Sequence, residues 1–211
     1  MHMDRPEVSI IVAALLPSHG IGNRGKLPWR LKKEMKYFRE VTTKTHDPLK
    51  KNMVVMGRNT YESIPVKFRP LKGRVNVVLS RDLDSYRKKM EQEVAANGSM
   101  LQLAGSLDQA LLFVDPTKIE EIFIIGGAQL YKTALDKASH MVDRILLTEI
   151  TSLEQLQLDT FLALDSTQWE KRFETELSSY LVSKGLADEF QLTGNHEGNF
   201  QYDFTLWKRK T

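Results

Sequence analysis

The sequence of 211 residues contains no cysteine, which excludes disulfides, thiolate-held metals and a thiol nucleophile and suits a reducing compartment. No apolar run approaches the ~20 residues that span a bilayer, and the amino terminus lacks the basic-then-apolar layout of a signal peptide, so the expected location is the cytoplasm. Charge of one sign is scarce as well: 30 Lys and Arg against 27 Asp and Glu leave a formal +3. This mild basicity favours an acidic ligand. Arg87-Lys88-Lys89 and Lys208-Arg209-Lys210 are the densest basic clusters, but no stacking aromatics are interleaved with them. They read as solvated faces, and no nucleic acid is required as a partner. Repeats, low-complexity tracts and linkers are absent too. The expectation is one domain over residues 4–211, with Met1-His2-Met3 set aside as a vector remnant. A domain of this length buries roughly 70% of its unfolded surface, enough for a core without staples.

What is present is a series of short, β-branched apolar runs bounded by Gly, Pro or charge: Val8 to Leu15, Met53 to Met56, Val75 to Leu79, Ile122 to Ile125 and Ile145 to Ile150. The first four are nearly continuous, the pattern of strands buried on both faces of a parallel sheet. Helical patterns fall between them at Leu31 to Val41, Asn59 to Ile64, Leu107 to Phe113 and Gln129 to Ala138. Phe200, Tyr202, Phe204 and Leu206 alternate with polar residues, predicting an amphipathic strand that pairs antiparallel. The expected fold class is therefore a single α/β domain with a mixed, mostly parallel sheet, an antiparallel C-terminal strand and helices on both faces. Ser85 to Gly98 and Leu181 to Gly198 read as polar surface excursions.

Ligands of such sheets bind beyond the carboxyl ends of the strands. Three of those ends share a theme. Ile122 to Ile125 runs into Gly126-Gly127 and then a helix, a pyrophosphate cradle or else a plain tight turn. Met53 to Met56 opens into Gly57-Arg58-Asn59-Thr60, and Val75 to Leu79 into Ser80-Arg81. Arg58, Ser80 and Arg81 suit a 2′-phosphate where an NAD site would carry an acid, so NADPH is favoured over NADH, unless both arginines are surface residues. Gly20 to Trp29 holds Gly20, Gly22 and Gly25 before Leu27-Pro28-Trp29. It reads as a lid that excludes water, or as a long connection around a buried Trp. In the next helix Leu31, Met35 and Phe38 define an apolar stripe, and Glu34 falls on it. A carboxylate there serves a ligand, or else pairs at the surface with Arg30. Arg74 beside Gly73 suits bidentate carboxylate recognition.

Leu27-Pro28-Trp29, Glu34 with Tyr37-Phe38, Met56-Gly57-Arg58 before Glu62-Ser63-Ile64-Pro65, Phe68-Arg69-Pro70-Leu71, and Gly126-Gly127 before Tyr131 together resemble dihydrofolate reductase, particularly the fungal form. The likeness runs from about Ser9 to Phe161 and returns in the last strand. It implies NADPH-dependent reduction of 7,8-dihydrofolate, with Glu34, Thr148, Leu27 and Trp29 as catalytic positions and Thr148 as partner of Glu34. It implies a substrate pocket of Ile11, Val12, Glu34, Met35, Phe38, Ile64, Leu71, Ile125 and Tyr131, with Arg74 gripping the glutamate tail. Cofactor positions would be Ala13, Ile21, Gly25, Gly57-Arg58-Asn59-Thr60, Leu79-Ser80-Arg81 and Ile125-Gly126-Gly127-Ala128-Gln129-Leu130-Tyr131, with a cis peptide in the glycine pair. No metal is implied, and the expected partners are dihydrofolate and antifolates, on a monomer. Tyr61, Asn59 and Phe123 depart from the commoner residues without removing a group the chemistry requires. A related pyrimidine-type reductase and a non-catalytic nucleotide-binding protein are the competing assignments.

Overall fold

The computed structural model describes residues 5–211, so Met1-His2-Met3 lies outside the described residues. Strands β1 (Glu7–Leu15), β2 (Gly20–Gly22), β3 (Lys51–Gly57), β4 (Arg74–Leu79), β5 (Leu101–Ala104), β6 (Ile119–Ile124), β7 (Arg144–Ser152), β8 (Thr160–Phe161), β9 (Trp169–Lys171), β10 (Asn195–Glu197) and β11 (Phe200–Arg209) join in one sheet. Between them lie helices α1 (Lys32–Thr43), α2 (Arg58–Ser63), α3 (Leu83–Asn97), α4 (Leu107–Leu112), α5 (Ala128–Asp136) and α6 (Glu174–Ser183). The main path is β10-β11-β7-β1-β6-β3-β4-β5. Strands β7, β1, β6, β3, β4 and β5 pair parallel, while β11 pairs antiparallel with β7 and β10 with β11. This is the mixed, mostly parallel sheet that the apolar runs predict.

Those runs lack alternation because both faces are covered. Along β1, Val8, Ile10, Val12 and Ala14 enter one core with Leu130, Ala134 and Leu135 of α5. Ile11 and Leu15 enter the other with Tyr37 and Val41 of α1 and Leu177 of α6. The period of two survives in space, with apolar partners on both sides.

Three expectations need correction. Ser85 to Gly98 is not an excursion but most of α3, a helix capped by Asp82, whose side chain accepts from the Ser85 N–H at 3.2 Å. It is anchored by buried Tyr86 and Met90 at i, i+4 and ends at Gly98 with φ 55°. Two buried side chains suffice to hold a helix whose other faces meet water, so the polar composition misleads. Leu181 to Gly198 contains the end of α6 and all of β10, which turns through Gly198-Asn199 into β11. The stripe of α1 runs through Tyr37 and Val41, whereas Met35, two residues and about 200° from Tyr37, is 49% exposed.

At the amino ends of β1, β6 and β7 the charges are compensated. Glu121 accepts from Lys184 Nζ at 2.5 Å, from the Tyr180 hydroxyl at 2.7 Å and from Arg144 at 3.5 Å, and Arg144 also bonds Ser9 and Glu7. Glu121, Arg144 and Lys184 are all buried, on the wall of a cavity of about 620 Å³. Glu121→Ala would leave buried Lys184 without its anion and Arg144 with Glu7 alone, and a loss of about 3 to 5 kcal/mol is expected in urea unfolding. Arg5→Ala, which breaks the half-exposed pair with Asp143, should change stability by no more than about 1 kcal/mol.

Candidate active site

The parallel register brings the three glycine- and arginine-bearing strand ends side by side. The Ile125 N–H donates to Val55 O at 2.9 Å, the Gly57 N–H to Gly126 O at 2.8 Å, and the Ser80 N–H to Ala104 O at 3.0 Å. The Gly126–Gly127 peptide is cis, and Gly126 has φ 114°. A Cβ at Gly126 would lie 3.1 Å from the Tyr131 hydroxyl, and one at Gly127 would lie 3.3 Å from Thr60 Oγ1. Neither position has room for a side chain without displacing a neighbour, and Gly126 has the wrong backbone for one. Helices α2 and α5 begin at Gly57 and Gly127 without a side-chain cap, so their first N–H groups remain available to an anion.

Around this cradle stand half-buried Thr60, Leu79 and Ala128, buried Ser80 and Leu130, and exposed Asn59, Arg81 and Gln129. Arg58 is less free than its place at a strand end implies. Its Nε pairs with Glu62 at 3.2 Å, its guanidinium lies 4.9 Å from the Tyr86 ring centroid, and Lys89 shares Glu62 at 2.7 Å. Tyr131 is buried and donates its hydroxyl to Ile11 O at 3.0 Å.

The glycine-rich segment is partly a ribbon. β2 pairs with β1 and β8, and a Cβ at Gly20 would collide with Leu158 at 2.0 Å. Asn23 and Lys26 exchange backbone bonds of 2.9 and 3.0 Å around Arg24 and Gly25, with φ 49° and 74°. Two successive positive φ values define a type I′ turn. Ile21 is half-buried on this ribbon, Gly25 is exposed at its tip, Leu27 is 60% exposed, and Trp29 is buried with its Nε1 unpartnered.

Glu34 sits in the first turn of α1, half-buried. Among the described residues it makes no hydrogen bond or ion pair, with Arg30 or any other group. Burial first, and then the negative charge of Glu197, push its carboxyl up to about 7. Glu197, on β10, accepts from the Lys32 N–H at 2.9 Å, from the Lys33 N–H at 3.3 Å and from the Tyr202 hydroxyl. Although burial acts to raise it, these donors hold the Glu197 carboxyl below the usual range. The residue pattern does not reveal Glu197 as a site residue. The one available signal is Gly198-Asn199 before an alternating strand, a two-residue hairpin turn that places position 197 opposite Phe200.

Ala13, Phe38, Ile64, Leu71 and Ile125 are half-buried and pack on the core that contains Ile11, Trp29 and Leu31. Leu71 is held by Asn76, which accepts from its N–H at 2.8 Å and donates to its carbonyl at 2.9 Å. Val12 is different: its side chain points into the opposite core under α5, as alternation along β1 requires, so only its backbone faces the Ile11 side. Met35 lies outside both buried cores and remains exposed. Thr148 is buried opposite Ala13 and Phe204 and makes no direct bond to Glu34.

Arg74 is 5% exposed and, among the described residues, bonds only neutral groups, Lys72 O at 2.9 Å and Thr42 Oγ1 at 3.1 Å. Burial, and secondarily the neighbouring Arg39 cation, bring its guanidinium down to about 10. A buried cation with neutral partners lacks the anion its charge calls for.

Comparison with known proteins agrees with this geometry. The family model for dihydrofolate reductase matches residues 7–181. The dihydrofolate reductase of Candida albicans is 42% identical, covering 99% of this chain and 100% of that protein. The enzyme of Pneumocystis carinii is 37% identical over 98% and 99% of the two chains. The structure of Schistosoma mansoni dihydrofolate reductase superposes with a TM-score of 0.70 at 33% identity, covering 97% of this chain and 99% of that one. Fold, match and full-length likeness agree: this chain belongs to the dihydrofolate reductase family of oxidoreductases.

Proposed function

We propose that the chain reduces 7,8-dihydrofolate to 5,6,7,8-tetrahydrofolate with NADPH, placing hydride on C6 and a proton on N5, in support of one-carbon metabolism and thymidylate synthesis. The observation that carries this is Glu34, a half-buried carboxyl in the first turn of α1 with no partner among the described residues and a pKa raised to about 7. Its oxygens are free to bind the ring nitrogen and exocyclic amine of a pteridine, and its proton is exchangeable at neutral pH. Phe38, Ile64, Leu71 and Ile125 supply apolar walls, and Leu27 and Trp29 of the ribbon supply cover from water. Thr148 would partner Glu34 through its hydroxyl or a water. Arg74 supplies the counter-charge for a tail carboxylate.

The nucleotide fit rests on the strand-end cradle. Bare helix starts at Gly57 and Gly127 and the side-chain-free surface at Gly126-Gly127 suit a pyrophosphate. Thr60, Ser80, Arg81 and the terminal nitrogens of Arg58 suit a 2′-phosphate. When bound there, NADPH supplies the hydride. The protein's own part is to orient both molecules and keep the proton at Glu34.

Purified protein should consume NADPH when given dihydrofolate, and an antifolate should stop it; failure of the first result sinks the proposal. Glu34→Gln should lower turnover at least about 100-fold while NADPH binding, read by fluorescence, stays nearly intact. The same substitution should stabilise the fold in alkaline buffer. A carboxyl with a folded pKa of about 7 against an ordinary 4.5 makes the folded state the stronger proton binder. Its contribution to stability is therefore fullest below the unfolded value and lost as pH rises through 7. Thermal melts should show a gain of roughly 1 to 3 kcal/mol near pH 8 and little near pH 5. Arg74→Leu should raise KM for dihydrofolate roughly 10- to 100-fold, the scale of a bond to a charged group, and leave a pterin lacking the glutamate tail unaffected. Arg81→Ala should weaken NADPH by about 1.5 to 3 kcal/mol and NADH hardly at all; equal weakening would remove Arg81 from the 2′-phosphate site.

A further inference from the structure

Helix α1 begins at Leu31 without a side-chain cap from its own segment. The cap comes instead from Glu197, 165 residues from Lys32 in the chain, whose two carboxylate oxygens each take one N–H of the first turn. Glu197 is in turn held by the Tyr202 hydroxyl on β11. Glu34 is the next residue of that turn. Anything that moves the Lys32 and Lys33 amides moves the carboxyl with them, because one turn of helix is a rigid unit.

The groups that face Glu34 come from four elements. Tyr37 stands on α1, Tyr131 on α5, Tyr202 on β11 and Glu197 on β10. Burial holds the three tyrosines neutral, so Glu197 is the charged member of the set. The Lys32 and Lys33 side chains are exposed, and Lys33 acts on Glu197. Two carboxylates so placed do not ionise with equal ease. Glu197 has three donors and Glu34 has none among the described residues. The negative charge therefore settles on Glu197, and the proton on Glu34.

We infer that Glu197 is a positioning residue of the reaction, pinning the first turn of α1 so that Glu34 is presented to the substrate while standing beside it as a fixed negative charge. This rests on the proposal above that Glu34 manages the proton.

The test is the pH profile of the hydride-transfer step in single turnovers of the full chain with dihydrofolate and NADPH, together with the titration of the Glu34 carboxyl followed by carbon NMR in the ligand-free protein. Glu197→Gln should move the Glu34 limb to lower pH by about 0.5 to 1 pH unit. Glu197→Ser, which removes the charge and leaves a small polar side chain, should do the same and serves if the glutamine variant folds poorly. Glu197→Asp, which keeps the charge, should leave the limb close to its original place. Folded neutral variants that lose rate uniformly at every pH, with the Glu34 titration unmoved, would overturn the inference. If the unaltered protein does not turn over dihydrofolate, the functional proposal fails instead, while the NMR titration still reads the Glu197 effect.

Discussion

Strand β6 pairs parallel with β1 on one side and β3 on the other, and the site depends on that double register. It sets Gly126-Gly127 against Gly57, brings the Ser80-Arg81 turn of β4 alongside through β3, and places Tyr131 within reach of the Ile11 carbonyl. A slip of one residue would exchange the two cores of β1 and turn every cradle group to the wrong face. The antiparallel pairing of β11 on β7 does comparable work on the other side: through the turn at Gly198 it carries Glu197 back to the start of α1.

Buried charge is treated in two opposite ways in this fold. At the amino end, Glu121 gathers Lys184, Arg144 and Tyr180 into a buried cluster in which each charge finds an opposite. Elsewhere, Glu34 on α1 and Arg74 at the start of β4 are withdrawn from water and given no opposite charge among the described residues. A protein tolerates such groups only where something else is gained. The pKa values of both move toward their neutral forms for the same reason, burial first and a like-charged neighbour second: Glu197 for Glu34, and Arg39 for Arg74.

Much of this was legible before the coordinates. Unbroken β-branched runs bounded by Gly, Pro or charge read as strands buried on both faces, and a glycine pair leading into a helix marks a backbone turn free of side chains. Arginines at the ends of two such strands, and an acid on the apolar side of a helix, stand out because local pattern and chemistry conflict. The illegible parts are those set by contacts between distant segments. Nothing in Leu83–Asn97 announces that Tyr86 and Met90, with Val94 beside them, anchor a polar helix. Arg58 reads as a free guanidinium until Glu62 and Tyr86 are seen to hold it, and Met35 seems buried until the phase of α1 is settled by what Tyr37 and Val41 meet. Val12 looks like its neighbour Ile11 until the sheet gains two covered faces.

By itself the sequence determined the class of fold, the order of six of its strands and four of its helices, the glycine pair at the end of a strand and the identity of the unusual acid. Those properties follow from steric freedom at glycine and from apolar periodicity, which act over a few residues. Only the tertiary structure decided which strand lies beside which, that Arg74 is buried among neutral groups, and that Glu34 shares its surroundings with Glu197 from the far end of the chain. Burial and the charge of a neighbour act through space, so no pattern along the chain contains them until the sheet has brought the segments together.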